Sequence, residues 1–348
     1  MTTNETAVAQ AWVATRLAAP TSALEMRDVD VPEPGPGEVR IRTEAFCLDF
    51  NDIDSIYGRW VFKTDPPFVP GMVAAGVVER CGAGTDHLRG ARVVGCTAGG
   101  KGGYASVAVL TERTVQLVPS WLGTAEAAAM YFPYMLSWLA LKERARTSAG
   151  DVVLIHAAAG GIGSGAVQLA KATGATVIAT AGSAEKVEFA RGLGADYAVN
   201  YQEDDFVAYT LDVTNGRGVD VAFDTVGGQT TRDTFRVMAF NGRHLIIGYS
   251  ADAAAEEAGV NLQPSIYGNF DICGVCFMTV ENPRPSRAFG MNFMSTAKGI
   301  DIWNEILQLA RREIVRPVIG QRITLADVPE WLDAMENRRT KGRTVVTL

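Results

Sequence analysis

An unbroken apolar run, Val152-Val153-Leu154-Ile155, enters a turn of small residues, His156-Ala157-Ala158-Ala159-Gly160-Gly161-Ile162-Gly163, and leaves it on the amphipathic stretch Ser164-Gly165-Ala166-Val167-Gln168-Leu169-Ala170-Lys171. Few folds accept a strand, a glycine turn and a helix in such tight succession. Ala158-x-Gly160-x-x-Gly163 is a close variant of the dinucleotide fingerprint, with alanine at the first glycine position. Gly160 lets the backbone approach a pyrophosphate. Gly163 lets the helix lie tight on the strand. The N–H groups that open the helix, from Gly161 and Ile162 onward, face the phosphates. Glycine clusters often build only turns; here the flanking strand and helix favour the nucleotide reading.

From Asp151 to Gly248 strands and helices alternate. Strands are expected at 152–155, 176–179, 197–199, 219–223 and 244–247, and helices at 162–173, 184–193 and 230–239. Strands spaced by helices of this length imply an α/β fold, with a doubly wound parallel sheet and right-handed crossovers. The first third reads differently. Short alternating runs at 11–17, 38–46 and 73–78 are separated by turn clusters such as Pro32-Glu33-Pro34-Gly35-Pro36-Gly37. A long apolar helix is expected over 125–146, and two helices (302–312, 325–337) and a strand (343–348) close the chain.

The 348 residues suffice for two domains with their own cores. A net charge of -7 leaves no basic face in bulk, so neither nucleic acid nor an anionic membrane is an expected partner. No apolar run reaches the length of a membrane-spanning helix. The opening Met1-Thr2-Thr3-Asn4-Glu5-Thr6 lacks the basic-then-apolar order of a signal peptide. Five cysteines (Cys47, Cys81, Cys96, Cys273, Cys276) suit a reducing cytoplasm better than a disulfide framework. Cys273-x-x-Cys276 looks like half a zinc or redox motif, but it falls in the apolar run 270–278, expected to be a strand. Positions three apart there face opposite sides, which makes core or edge thiols the expectation.

An NAD-type site places Asp or Glu at the end of the second strand to hold the ribose hydroxyls. Here Thr176-Val177-Ile178-Ala179-Thr180-Ala181 runs into Gly182-Ser183. An acid would repel a 2′-phosphate, whereas Gly-Ser leaves room and offers a hydroxyl. Lys186 opens the next helix, and Tyr201 follows the third strand. The expected cofactor is therefore NADPH. The alternative for Lys186 is a solvated helix lysine.

Ala157-Ala158-Ala159-Gly160-Gly161-Ile162-Gly163, Ala181-Gly182-Ser183-x-x-Lys186, Gly194-Ala195-Asp196-x-x-x-Asn200-Tyr201 and Asp220-x-x-x-Asp224-x-Val226-Gly227-Gly228 resemble the zinc-free medium-chain dehydrogenase/reductases, closest to their quinone oxidoreductase branch. Gly71-x-x-x-x-Gly76, Gly102-Gly103-Tyr104-Ala105 and Ala127-Ala128-Ala129 carry the resemblance into the first third, so that it covers nearly the whole chain. It implies a catalytic domain with a GroES-like β-barrel core, made by residues 1–125 and 268–348, and an inserted Rossmann domain at 126–267 that binds NADPH. It also implies a homodimer or dimer of dimers joined along Rossmann sheet edges. By the same resemblance Ile247, Gly248 and Phe277 are expected to flank the nicotinamide, and Val226 belongs to the cofactor site.

Zinc-dependent relatives place His and Glu where this chain has Met72 and Val73, which cannot ligate catalytic zinc. Near Gly95–Tyr104, where the structural zinc lobe would fall, only Cys96 is present. His156 and His244 are read as structural, and no metal is expected. The implied reaction is hydride transfer from NADPH to a small electrophilic acceptor, a quinone or an α,β-unsaturated carbonyl. Two departures bear on the acceptor side. Cys47-Leu48-Asp49-Phe50-Asn51-Asp52 stands where relatives carry Gly-Leu-Asn-x-x-Asp, so Asp49 replaces an asparagine. It is either a proton donor or a loop anchor. Two pocket tyrosines of the bacterial quinone reductases align with Asp54 and Trp60. Tyr57, Trp60, Tyr131 and Tyr134 form an aromatic wall or simply pack the core. An enoyl-thioester reductase, needing a basic entrance from residues such as Arg59, Arg284 and Arg287, is the second reading. An NADPH-binding protein with little turnover is the third.

Overall fold

The computed structural model describes residues 8–250, 259–282 and 284–348. The opening hexapeptide read above lies outside them. The chain divides into two compact units, one made of Met1–Tyr131, Met278–Ile300 and Ile319–Leu348, the other of Phe132–Phe277 and Asp301–Val318.

The first unit opens with β1 (Val8–Ala14), β2 (Leu24–Asp30), β3 (Glu38–Cys47), β4 (Val73–Cys81), β5 (Arg92–Cys96), β6 (Val107–Thr111) and β7 (Gln116–Leu117). The second holds β8 (Val152–Ile155), β9 (Thr176–Ala181), β10 (Tyr197–Asn200), β11 (Val219–Asp224), β12 (Met238–Ile246) and β13 (Asp271–Gly274). The chain then returns to the first unit with β14 (Thr279–Val280), β15 (Met294–Ser295), β16 (Ile319–Ile323) and β17 (Arg343–Thr347).

In the first unit seven strands form one sheet in the order β16-β17-β3-β4-β5-β7, with β6 also on β3. The long strand β3 pairs with β17, β4 and β6. It manages three partners because its register against β4 shifts twice, at Arg40/Ile41 and Thr43/Ala45. Such bulges bend a strand and raise its twist. The curled sheet closes over Val39, Ile41, Phe46, Val93, Leu110 and Val346, all buried.

In the second unit six parallel strands run in the order β10-β9-β8-β11-β12-β13. From β8 the chain moves outward to β9 and β10, then returns beside β8 as β11 and moves the other way. The reversal lies between β8 and β11, and the crevice above the carboxyl ends of strands at such a reversal is where ligands bind. The neighbouring strands β8 and β9 are almost wholly buried and read as near-continuous apolar runs, as strands covered on both faces do. Leu154, Ile178, Val219, Ala222 and the helix residue Val207 form one buried cluster.

Three expectations are corrected, and one helix is added. The nucleotide unit does not stop at residue 267: β13 hydrogen-bonds to β12 in parallel, and residues 301–318 also belong to this unit. Gln168 clamps the backbone of Arg316, its Oε1 accepting from the N–H at 2.9 Å and its Nε2 donating to the C=O at 3.1 Å. The expected helix at 230–239 is a short helix, Gly228–Thr234, and a 3-10 turn, Phe235–Val237, before β12 begins at Met238. The helix Phe206–Val213 was not anticipated, although Asp205 caps it with a 2.8 Å bond from the Val207 N–H. Finally, β13 ends at Gly274, so Cys273 lies on a strand while Cys276 lies beyond it and is exposed.

Gly163 sits where the helix Gly161–Ala172 meets β8. A Cβ added there would lie 2.3 Å from the Ala157 carbonyl oxygen and 2.8 Å from the Ala158 Cα, both backbone atoms. Gly163→Ala should therefore cost about 2–3 kcal/mol, as overpacking does. Gly192, at the end of the helix Ala184–Gly192, meets nothing within 4 Å. Gly192→Ala should gain about 0.5–1 kcal/mol from reduced chain entropy. Urea unfolding of the two variants measures both signs, and a neutral Gly163→Ala would remove the packing role.

Candidate functional site

The turn after β8 is fixed by local geometry. Ala157 takes a left-handed φ of 49°, and the Gly160 N–H closes back on the Ala157 carbonyl at 2.8 Å. Gly160 is the N-cap of the helix Gly161–Ala172 and brings no side chain to satisfy its first turn. The first N–H groups of a helix have no carbonyl one turn earlier, so those of Gly161, Ile162 and Gly163 point outward with the positive end of the helix dipole. A Cβ on Gly160 would meet only the Ala157 oxygen, at 3.1 Å. Gly160, Gly161 and Ile162 are half-buried. These features fit a pyrophosphate.

The groups expected to read the 2′-position sit on neighbouring turns at the end of β9. A Cβ on Gly182 would lie 2.6 Å from the Tyr201 hydroxyl oxygen, so that hydroxyl hangs directly over Gly182. The Tyr201 N–H is bound to the Ala181 carbonyl at 3.0 Å, which holds the ring there. Ser183 caps the helix Ala184–Gly192, its Oγ accepting from the Lys186 N–H at 3.3 Å. Lys186 is half-buried in the same first turn, beside the exposed Glu185.

Beyond the reversal, the carboxyl ends of β11 and β12 carry Val226, Ile247 and Gly248, all half-buried. Phe277 is buried edge-to-face on Phe132, with centroids 5.8 Å apart. Beneath these turns lies a buried polar network that residue patterns did not single out as functional. His156 Nε2 stands 2.8 Å from Thr234 Oγ1, and Nδ1 stands 3.1 Å from Thr180 Oγ1. Thr234 spends its own proton on the Thr230 carbonyl, so it accepts from His156 Nε2–H, and Thr180 donates to Nδ1. This is a neutral imidazole with both nitrogens satisfied, and burial lowers its pKa to about 4. The structural reading of His156 agrees with this placement, and His244 is likewise buried, its Nε2 3.2 Å from Asp224 Oδ2.

In the first unit Asp49 and Arg343 are 6% and 5% exposed. Arg343 Nη1 and Nη2 donate to the two Asp49 oxygens at 2.7 and 2.9 Å. Both carboxyl oxygens are occupied by guanidinium donors, the arrangement of the loop anchor rather than of a proton donor. One turn on, buried Asp52 accepts from the Tyr104 hydroxyl at 2.7 Å and from the Met72 and Asp49 N–H groups at 3.1 Å. Burial and the nearby Asp49 charge push its carboxyl up to about 7. Tyr57 donates to Glu336 at 3.1 Å and carries the Arg59 guanidinium 4.2 Å above its ring. Trp60 lies edge-on to Phe62 at 6.1 Å. In the other unit Tyr134 is 1% exposed. It donates to the Arg316 carbonyl and accepts from Gln168 Nε2 at 2.7 Å. That corrects its place in the acceptor wall: it is a packing residue against the helix Gly161–Ala172. Tyr131 is also buried, donating to the Thr114 carbonyl at 2.8 Å. Among the described residues no group of three or more His, Cys, Asp or Glu stands together to hold a metal ion. No described helix is long and apolar enough to cross a membrane.

Residues 35–120 match the alcohol dehydrogenase GroES-like domain, and residues 161–291 match the zinc-binding dehydrogenase domain. The quinone oxidoreductase of Pseudomonas aeruginosa is 31% identical over 327 residues, 93% of this chain and 95% of that protein. A 2-haloacrylate reductase from a Burkholderia species is 35% identical over 65% of this chain and 69% of its own length. The chain spans only 10% of the length of the Mycobacterium phthioceranic/hydroxyphthioceranic acid synthases, with which it shares 36% identity over 217 residues. Among solved structures, Escherichia coli quinone oxidoreductase complexed with NADPH superposes with a TM-score of 0.86 at 25% identity, covering 97% of this chain and 100% of that one.

His156 makes stability depend on pH. Its folded pKa lies near 4, against 6.5 for the free side chain. As pH falls from about 6.5 to about 4, the unfolded chain takes up a proton that the folded one refuses. Stability is then lost with falling pH, by up to about 3 kcal/mol from this group. The urea midpoint should drop less steeply across that window in His156→Gln than in the parent. Parallel slopes would show that the loss arises elsewhere. Arg343→Met strands a buried carboxyl and should cost about 3–5 kcal/mol in the same assay.

Proposed function

Because this chain belongs to the medium-chain dehydrogenase/reductase superfamily as a quinone oxidoreductase-like member, an oxidoreductase with a nicotinamide cofactor, we propose that it is an NADPH-dependent, metal-free reductase of quinones or α,β-unsaturated carbonyls. The observation that carries the reading is the end of β9. There the Tyr201 hydroxyl lies directly over Gly182, with Ser183 and Lys186 on the adjoining turn and no acid at the strand end, Gly182-Ser183.

Bound NADPH would supply a hydride to an electron-poor carbon of the acceptor. The chain's own groups bind and orient. Backbone N–H groups of Gly161, Ile162 and Gly163 take the pyrophosphate, with Gly160 giving it room. The Ser183 and Tyr201 hydroxyls and the Lys186 ammonium take the 2′-phosphate. Val226, Ile247, Gly248 and Phe277 flank the nicotinamide and limit its tilt. Tyr57 and Trp60 are the acceptor-side aromatics. Asp49, held by Arg343, fixes the start of the helix Phe50–Tyr57, and the proton that follows the hydride comes from solvent. Metal independence is supported by Met72 and Val73, which offer no hard ligand where zinc-dependent relatives carry His and Glu.

Similarity to a 2-haloacrylate reductase supports a conjugated alkene as an alternative acceptor to a quinone. The enoyl-thioester reading is weakened at one of its basic candidates, since Arg59 is engaged by Asp54 at 3.0 Å and by the Tyr57 ring. We place the protein in the cytoplasm, where its five free thiols would stay reduced. We also propose a homodimer or dimer of dimers through the β13 edge, beside which Ile266 and Tyr267 are exposed.

Lys186→Ala and Tyr201→Phe should each weaken NADPH by about 10- to 100-fold while leaving NADH nearly unchanged. Calorimetric titration with both cofactors measures the difference, and equal losses would remove the 2′-phosphate role. NADPH oxidation should proceed with 1,4-benzoquinone or an enal. Turnover with crotonyl-CoA alone would favour the thioester reductase, and tight binding without turnover the non-catalytic reading.

A further inference from the structure

Asp224, the last residue of β11, is 1% exposed, and every acceptor position it has is used. Its Oδ1 accepts from the N–H groups of Val226 at 2.8 Å and Gly227 at 3.0 Å, which coils the chain into a turn directly after the strand. Its Oδ2 accepts from the Thr231 hydroxyl and from His244 Nε2 at 3.2 Å. Its backbone carbonyl accepts from the Ile247 N–H at 2.9 Å. The Ser250 N–H and hydroxyl both reach the Thr225 carbonyl, at 3.2 and 2.9 Å. The side chain thus coils the loop that leaves β11 and grips His244 inside β12, while the backbone carbonyls of Asp224 and Thr225 hold the loop that leaves β12.

These loops lie on one side of the β8/β11 reversal, and the 2′-phosphate candidates at the end of β9 lie on the other. A dinucleotide laid across such a reversal has its pyrophosphate at the turn after β8, so its two halves fall to opposite sides. The loops around Asp224 therefore face the nicotinamide half. Two glycines show how closely they are fitted. Gly227 has a φ of 79°, and a Cβ there would lie 2.6 Å from the Tyr249 ring. A Cβ on Gly248 would lie 3.4 Å from the Thr225 carbonyl oxygen. Burial opposes the Asp224 charge, yet the His244 bond, the neighbouring histidines and the Thr231 bond outweigh it and hold the carboxyl below its usual range.

We infer that Asp224 is a positioning residue for the nicotinamide half of the cofactor: its side chain sets the turn at 225–228 and so aims the backbone carbonyls of Asp224 and Thr225 that hold the turn at 247–250, without touching the cofactor itself. The inference rests on the proposal that this unit binds NADPH.

The test compares two ligands on the purified full chain: NADPH, and 2′-phospho-ADP-ribose, which keeps the adenosine half and pyrophosphate but lacks nicotinamide. Asp224→Ala should weaken NADPH by about 10-fold and leave 2′-phospho-ADP-ribose within about 2-fold of the parent. Asp224→Asn keeps an oxygen for the Val226 and Gly227 N–H groups and should recover most of the loss. If Asp224→Ala does not fold, Thr231→Val removes one donor while keeping the side-chain shape, and should show the same selectivity at a few-fold. Equal weakening of both ligands, or of neither, overturns the positioning role. A parent chain that binds neither ligand overturns the NADPH reading instead, and this inference with it.

Discussion

The close approach of the helix Gly161–Ala172 to the strand β8 governs the nucleotide unit. At Gly163 there is no space for even one carbon between helix and turn. That contact aims the first-turn N–H groups over the carboxyl end of the sheet. It also sets where β9 and β11 present their own ends, because both pair with β8. A helix lifted off the sheet by one methyl would carry its first-turn amides away from the loops at the carboxyl ends of β9, β11 and β12. Strand order then decides which of these loops lies on which side.

Local features made most of this legible in advance. The apolar strand, the glycine spacing and the helix share one short segment, and the absent acid after β9 is a property of neighbouring residues. The three hydroxyl and amine candidates for the 2′-position were readable for the same reason. What stayed hidden depends on distant partners. The sequence around Asp49 does not distinguish proton donor from anchor, because its partner Arg343 is 294 residues away and no local pattern announces it. Tyr134 looked like an acceptor-side aromatic because the Arg316 carbonyl and Gln168, which consume its hydroxyl, belong to other segments. The helix Phe206–Val213 did leave a signal, Asp205 before an apolar run, which a search for caps would have found.

The border between the units is hidden in the sequence for a related reason. An inserted domain looks contiguous in sequence, whereas packing reclaims pieces from beyond it. β13 joins the sheet as a sixth parallel strand. Trp138 Nε1 also holds Glu305, at 3.0 Å. Sheet pairing and side-chain clamps of this kind set unit borders more strongly than any change in composition along the chain.

Three buried carboxyl groups are accommodated by three different means. Asp49 is matched by a guanidinium fork. Asp52 is surrounded by neutral donors beside a second acid, and its affinity for a proton rises. Asp224 is saturated by two backbone amides, a hydroxyl and an imidazole. A buried carboxyl with a free oxygen would be costly, so each environment admits little rearrangement, and the backbone attached to each is correspondingly fixed. Where reacting groups must be held in place, small misplacements are expensive in rate. Saturated polar groups beneath the loops supply that stiffness more directly than apolar packing does. A hydrogen-bonded carboxyl specifies the direction of each bond as well as its distance, while methyl groups specify distance alone.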